Sequence, residues 1–149
     1  MLNHLYIYNI NYVYNKIHKF GFGIKTNISL PNEHSGKITN FKNYSRKIRD
    51  LASTTIGQSI LVTNLQMAMA YSSIANGGYL VKPKIIKKIN YDNDYSLEFN
   101  KPIVLNNNIN SNTSELLLSI LEQTITDTDG TAINAYSDYI RIGGKTGTA

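Results

Sequence analysis

The residues best equipped for chemistry are the last five, Lys145-Thr146-Gly147-Thr148-Ala149. They set one cation, two hydroxyls and one glycine side by side. A lysine can place a charge near a carboxylate, a threonine hydroxyl can donate to the same group, and a glycine leaves a strand edge clear for a peptide to pair along it. The preceding run, Ile140-Arg141-Ile142-Gly143-Gly144, alternates apolar and polar residues and predicts a β-strand. Lys-Thr-Gly by itself also recurs by chance, so a lysine on a glycine-rich turn is the plainer reading of the tripeptide alone. Gly143 and Gly144 read as a tight strand entry or bulge.

Several elements must carry that segment. Ile10, Val13, Tyr14 and Ile17 fall at helical spacing between Leu5 and Phe20, and Gly21 or Gly23 can supply a left-handed cap. Pro31 and Gly36 punctuate a loop from Asn32 to Asn40, and Ile56-Gly57-Gln58 is a small-residue turn. Thr63-Asn64-Leu65-Gln66 is a capping box that opens the best helix. Leu65, Ala68, Met69, Ser72 and Ala75 line one of its faces and Met67, Tyr71 and Ile74 another, which predicts packing on several sides. Asn76-Gly77-Gly78 ends it. Tyr79-Leu80-Val81 and Ile85-Ile86 read as short extended pieces, and Asn90 to Asn110 as a hairpin or irregular loop, with Asn106-Asn107-Asn108 in the loop. Asn112 and Glu115 predict a second helix start, with Leu117, Ile120, Leu121 and Ile125 as its buried stripe.

Composition bounds the function. The 149 residues suffice for one core, with 42% hydrophobic and 17% charged residues. A net charge of +5 is spread over two loose clusters, Lys37 to Arg49 and Lys82 to Lys88, and reads as solvated surface, so no nucleic-acid partner is expected. With no cysteine, thiol catalysis and disulfides are excluded. His4, His18 and His34 lack partners at ligand spacing, so neither a metal nor another cofactor is expected. Leu51 to Val81 holds no Asp, Glu, Lys or Arg, yet Gln58, Asn64, Gln66, Asn76 and the glycines break it well short of the ~20 apolar residues of a membrane span. No signal or anchor segment is evident. Glu33 and Asp129 read as separate surface-loop carboxylates.

Three blocks then stand in order: Phe20-Gly21-Phe22-Gly23 with Ile28-Ser29-Leu30-Pro31; Ile56-Gly57-Gln58 through Val62-Thr63, Ala70-Tyr71 and Ile74-Ala75-Asn76-Gly77-Gly78 to Val81-Lys82-Pro83; and Gly130-Thr131-Ala132 with Gly143-Gly144-Lys145-Thr146-Gly147-Thr148-Ala149. Together they resemble the transpeptidase domain of class B penicillin-binding proteins, over nearly the whole chain. The resemblance implies an α+β fold of the penicillin-binding protein and serine β-lactamase type, an antiparallel sheet beside a helical lobe. It implies a peptidoglycan D,D-transpeptidase that binds β-lactams and cross-links stem peptides ending in D-Ala-D-Ala. By the family pattern, Lys145 and Thr148 are catalytic, and Lys145, Thr146, Gly147 and Thr148 bind substrate. The N–H of Thr148 would form half of an oxyanion hole. Gly130-Thr131-Ala132 would be a structural turn. The implied location is the periplasmic face of the inner membrane, and divisome or other cell-wall synthesis proteins would bind through regions outside residues 1–149. Two departures stand out: Asn64 where the family usually has Pro, and Ser59 where it usually has Gly.

The family's other two motifs, Ser-x-x-Lys and Ser-x-Asn or Ser-x-Asp, occur nowhere in the sequence. In Ser35-Gly36-Lys37 and Ser45-Arg46-Lys47 the lysine comes one position too early. The expectation is a partial domain over residues 1–149, incomplete at both ends and inactive alone. A catalytically dead relic that binds peptide or a partner, or part of a related serine β-lactamase, remain the alternatives. The sequence leaves open whether Met1 is a genuine start and whether the role is septal or elongational.

Overall fold

The computed structural model describes residues 2–38, 53–54, 56–58, 60–92 and 94–147. Helix α1 (Leu2–Lys19) stops where the sequence says it should. Gly21 takes φ +89°, its N–H bonds the His18 carbonyl at 2.9 Å, and the Phe22 N–H reaches back to Ile17 at 3.3 Å. That pair of bonds is a Schellman cap, which needs a left-handed residue at Gly21. Within α1, Tyr14 and His18 meet edge to face at 4.4 Å.

Helix α2 (Asn64–Ala75) starts on the capping box. The Thr63 hydroxyl accepts from the Gln66 N–H at 3.1 Å, and Gln66 Oε1 accepts from the Thr63 N–H at 2.9 Å. Gln66 is wholly buried, and its amide nitrogen donates twice more, to the carbonyls of Ile24 at 2.7 Å and Ser35 at 2.8 Å. One side chain thus fixes a helix start and the two loop strands around it. Its hydrogen-bonding capacity is used where burial makes an unmade bond costly.

Among the described residues the strands form three separate two-stranded antiparallel ladders. Strands β1 (Lys37–Ile38) and β2 (Ile60–Leu61) pair beside the Gln66 junction. Strand β3 (Tyr79–Val81) pairs with β6 (Val104–Asn107), with a register shift between Leu80 and Val81. Strands β4 (Lys88–Asn90) and β5 (Ser96–Glu98) form a hairpin between them. Leu80, Met69, Ala70 and Ile125 are the buried apolar residues among those described. Gly78 takes φ +106°, and any Cβ there would overlap the Ile109 carbonyl oxygen. Its own carbonyl accepts from the Asn108 N–H at 2.7 Å. This crossing seats helix α3 (Ser111–Thr126) against α2, where the buried Ser114 hydroxyl donates to the Ile74 carbonyl.

Several expectations need correction. Helix α3 is capped by Asn110, whose Oδ1 accepts from Thr113 N–H at 2.8 Å, and not by Asn112. The close seat of Ile109 on Gly78 sets the start two residues earlier. Ile120 is 49% exposed, so the inward stripe of α3 runs through Ser114, Leu117, Leu121 and Ile125. Among the described residues, helix α2 buries the side that carries Gln66, Met69, Ala70 and Ser73, whereas Met67 and Tyr71 are exposed. Asn106 and Asn107 lie in β6 rather than in a loop, because their backbones complete the ladder to Leu80 and Tyr79. Ile85-Ile86 is not a strand; pairing starts at Lys88. The predicted strand through Ile140 is absent as well: residues 141–147 join no ladder, since no described strand pairs with them. The Ile56-Gly57-Gln58 turn is present, with Gly57 at φ +87° and Gln58 N–H bonded to Ser53 at 2.9 Å. Ser59 and most of the first basic cluster lie outside the described residues.

Glu33 has a structural role. Its carboxylate accepts from the N–H groups of Thr26 at 2.5 Å and Asn27 at 3.0 Å. Desolvation raises its pKa, but the bonds to the Thr26 hydroxyl and the two amides, with the nearby Lys25 charge, outweigh it and lower the net value.

Two outcomes follow from these contacts. Gln66→Ala should cost about 2–4 kcal/mol in urea unfolding, from a lost cap and two abandoned carbonyls. Gln66→Glu should cost at least as much despite equal volume, because it replaces a donor by an acceptor facing two carbonyls; tolerance of Glu would remove the hub role. The lowered Glu33 pKa contributes stability that is full above the unfolded carboxylate value and lost as pH falls through the folded one. The stability gap between wild type and Glu33→Gln should therefore shrink between about pH 7 and pH 3. A constant gap over that range would refute the carboxylate clamp.

Candidate active site

The Lys-Thr-Gly segment is carried by the C-terminal half of α3. After the helix, Gly130 closes a turn by donating to Asp127 at 2.9 Å, and the Ala132 N–H bonds Thr124 at 2.9 Å. A short 3-10 turn at Ile133–Ala135 reverses the chain. The segment then runs back along the helix. Arg141 meets Glu122 as a planar fork, Nε to Oε1 at 2.9 Å and the second nitrogen to Oε2 at 2.5 Å. That fork is the geometry in which guanidinium and carboxylate match best. The bond from Arg141 lowers the Glu122 pKa, and the same pairing raises that of Arg141.

Three residues on, the backbone itself is bonded. Gly144 N–H donates to the Leu121 carbonyl at 3.0 Å, and the Thr124 hydroxyl lies 2.9 Å from the Gly144 carbonyl. Gly143 is pressed against the helix so closely that a Cβ would stand 3.2 Å from Leu121 and the Glu122 nitrogen. Gly143 thus serves close backbone approach to a helix, while a Cβ at Gly144 would meet nothing within 4 Å. A cavity of about 320 Å³ lies beneath the returning segment, walled by Glu122, Ile125, Tyr136, Tyr139, Arg141 and Ile142.

Lys145, Thr146 and Gly147 follow at once, and all three are exposed. The Lys145 ammonium folds back to donate to the Thr146 carbonyl at 2.8 Å and to its hydroxyl at 3.3 Å. Gly147 has no neighbour within contact distance of a Cβ. The cation and the hydroxyl expected to act together are therefore adjacent and open to solvent. Thr148, expected to be catalytic and to bind substrate, lies outside the described residues with Ala149. Glu33 and Asp129 are not paired: Glu33 holds the Thr26 backbone, and Asp129 sits on the exposed turn after α3. Among the described residues no group of three or more His, Asp or Glu side chains is arranged to hold a metal ion. The Glu122–Arg141 fork was not foreseen; two residues 19 positions apart on different elements leave no periodic signal.

Comparison with known proteins identifies the family. The family model for the penicillin binding protein transpeptidase domain matches residues 8–149. "Penicillin-binding protein H" of Bacillus subtilis is 40% identical over 136 residues, covering 88% of this chain and 18% of the relative. A "Peptidoglycan D,D-transpeptidase FtsI homolog" of Mesostigma viride is 30% identical over 158 residues, covering 91% of this chain and 25% of the relative. Penicillin-binding protein 3 of Mycobacterium tuberculosis superposes with a TM-score of 0.75 in its apo form and 0.74 in its ampicillin complex. Both forms are 28% identical to the chain; the apo match covers 84% of this chain and 28% of that one. The chain thus spans between 18% and 25% of the length of these two curated relatives. With its three ordered blocks and its Lys-Thr-Gly segment docked on α3, the chain belongs to the penicillin-binding protein transpeptidase family, as a stretch of a class B transpeptidase domain.

Proposed function

We propose that this chain supplies one wall of a peptidoglycan D,D-transpeptidase site, the wall that receives the carboxylate end of a D-Ala-D-Ala stem peptide. The observation that carries the reading is the exposed Lys145-Thr146-Gly147 segment, anchored to α3 within a chain that matches the transpeptidase model over residues 8–149. The Lys145 ammonium now spends its bonds on a neighbouring carbonyl and hydroxyl. A carboxylate is a stronger acceptor than either, so an arriving C-terminus would draw the ammonium outward and leave the Thr146 hydroxyl free to donate beside it. Gly147 keeps the edge bare for the peptide backbone. Thr148 would place its N–H at the developing oxyanion, a donor whose loss in such sites costs about 10²–10³ in rate. A β-lactam carboxylate is recognised by the same donors.

Acyl transfer also needs an activated nucleophile, and no Ser-x-x-Lys exists in the 149 residues. In this reading the chain binds but does not turn over substrate by itself. The site faces cell-wall precursors outside the cytoplasmic membrane, which puts the working protein on the periplasmic side. Other cell-wall synthesis or division proteins would be engaged outside residues 1–149. No helix among the described residues is long and apolar enough to cross a membrane.

The surface supports the same assignment. Leu116 and Ile120 project from α3 at 61% and 49% exposure, and Tyr139 and Ile140 are exposed on the returning segment. Large apolar side chains this exposed suit an interior, and we assign Leu116 and Ile120 to the seam against the remainder of a transpeptidase domain.

Two measurements test these statements. Fluorescent penicillin should leave the purified 149-residue chain unlabelled, while a D-alanyl-D-alanine peptide at millimolar concentration should shift the amide resonances of residues 145–147 and lose that effect in Lys145→Ala. Covalent labelling would sink the first half, and silent resonances the second. Sedimentation of the same chain should show self-association that Leu116→Lys with Ile120→Lys relieves; a monomer that melts cooperatively contradicts the seam.

A further inference from the structure

We propose that Glu122 is a positioning residue for the Lys-Thr-Gly segment, acting through Arg141. This rests on the transpeptidase reading given above and names a determinant of the same site that touches neither substrate nor reacting atoms.

The argument starts from Gly143. The segment approaches α3 so closely at this point that a Cβ would press on Leu121 and Glu122. Glycine makes that approach without displacing the helix, whereas a side chain would push it back by a few tenths of an ångström, and Gly144 follows it. Two successive glycines form the most conformationally permissive dipeptide available, each free of the side chain that restricts φ and ψ. The close approach therefore places a hinge directly before Lys145. A hinge is fixed only if both flanks are held. On the far side, Gly144 is held by the Leu121 carbonyl and the Thr124 hydroxyl. On the near side, among the described residues, the fork from Arg141 to Glu122 is the side-chain hydrogen bond that ties residues 140–143 to the helix.

Energetics separate positioning from stability. The Arg141 side chain is 83% exposed and that of Glu122 26%. Pairs this open add little to global folding stability, because water solvates both partners when they part. What the fork adds is direction: two parallel bonds fix the plane of the guanidinium and, with it, the path of the backbone into the hinge. Losing it should leave the fold intact and let residues 142–147 swing.

The test uses the 149-residue chain and three variants: Glu122→Gln, Arg141→Met, and the exchanged pair Glu122→Arg with Arg141→Glu. Amide exchange and 15N relaxation are read at residues 142–147 and, as a control, along α2. Each single variant should cut protection of the Gly144 amide about tenfold and lower the order parameters after it toward ~0.6, with α2 altered less than about twofold. The exchanged pair should restore both. Equal loss in α2, no change at Gly144, or failure of the exchanged pair would overturn the proposal. Titration with the D-alanyl-D-alanine peptide gives the second readout. Binding should weaken about tenfold in the single variants and return in the exchanged pair. If exchange behaves as stated but the wild-type chain binds no peptide, the transpeptidase reading fails and the positioning role falls with it. If the peptide binds all variants equally, the site stands and the positioning role is wrong.

Discussion

The fold depends on one buried amide. Gln66 sits at the first turn of α2 with every polar atom of its side chain engaged: the oxygen on Thr63, the nitrogen on Ile24 and Ser35. The helix start, the chain leaving α1, and the loop leading to β1 converge on it. Apolar residues could not hold this junction, because the groups to be satisfied are backbone carbonyls that would otherwise lie against the protein without partners. With few buried apolar side chains among the described residues, directional bonds rather than hydrophobic bulk set the arrangement here. Buried serines repeat the pattern: Ser73 bonds Ala70, and Ser114 bonds Ile74 across the contact of α2 with α3.

From that junction the constraint passes along the molecule in steps. Helix α2 carries Gly78 to its crossing with Ile109, the crossing seats Asn110 as the cap of α3, and α3 offers Leu121, Glu122 and Thr124 to the returning segment. The lysine and threonine at the end of this series are exposed and self-bonded, so their placement comes from the helix beneath them and not from contacts of their own. A segment built on a helix inherits its rigidity.

Local sequence revealed what local bonds decide. The Thr63 to Gln66 box spans three residues, and its pattern is nearly sufficient to form it. The Gly21 cap and the end of α2 were equally legible, since left-handed glycines at helix ends answer a purely local need. The partners of the Gln66 nitrogen, 42 and 31 residues away, left no such trace. The start of α3 is ambiguous in sequence because Asn110 and Asn112 are both good caps, and a distant contact at Gly78 chooses between them. The alternation of Ile140, Arg141 and Ile142 predicts a strand, but alternation describes a surface with two faces and says nothing about a partner to pair with. The family and the Lys-Thr-Gly segment were visible because several short blocks kept their order and spacing. The Arg141 fork was invisible because it joins two elements.

The crossing at Gly78 has a consequence for the gene as much as for the fold. Every base change at the first or second position of a glycine codon brings in a side chain or a stop, and a side chain here would collide with the Ile109 carbonyl. The only silent drift open to that codon is at its third base. A reading frame released from selection would be expected to lose such a position as readily as any other, while one still required to fold cannot afford to. This codon is therefore constrained by folding itself, whereas the exposed residues of the Lys-Thr-Gly segment are free of that constraint.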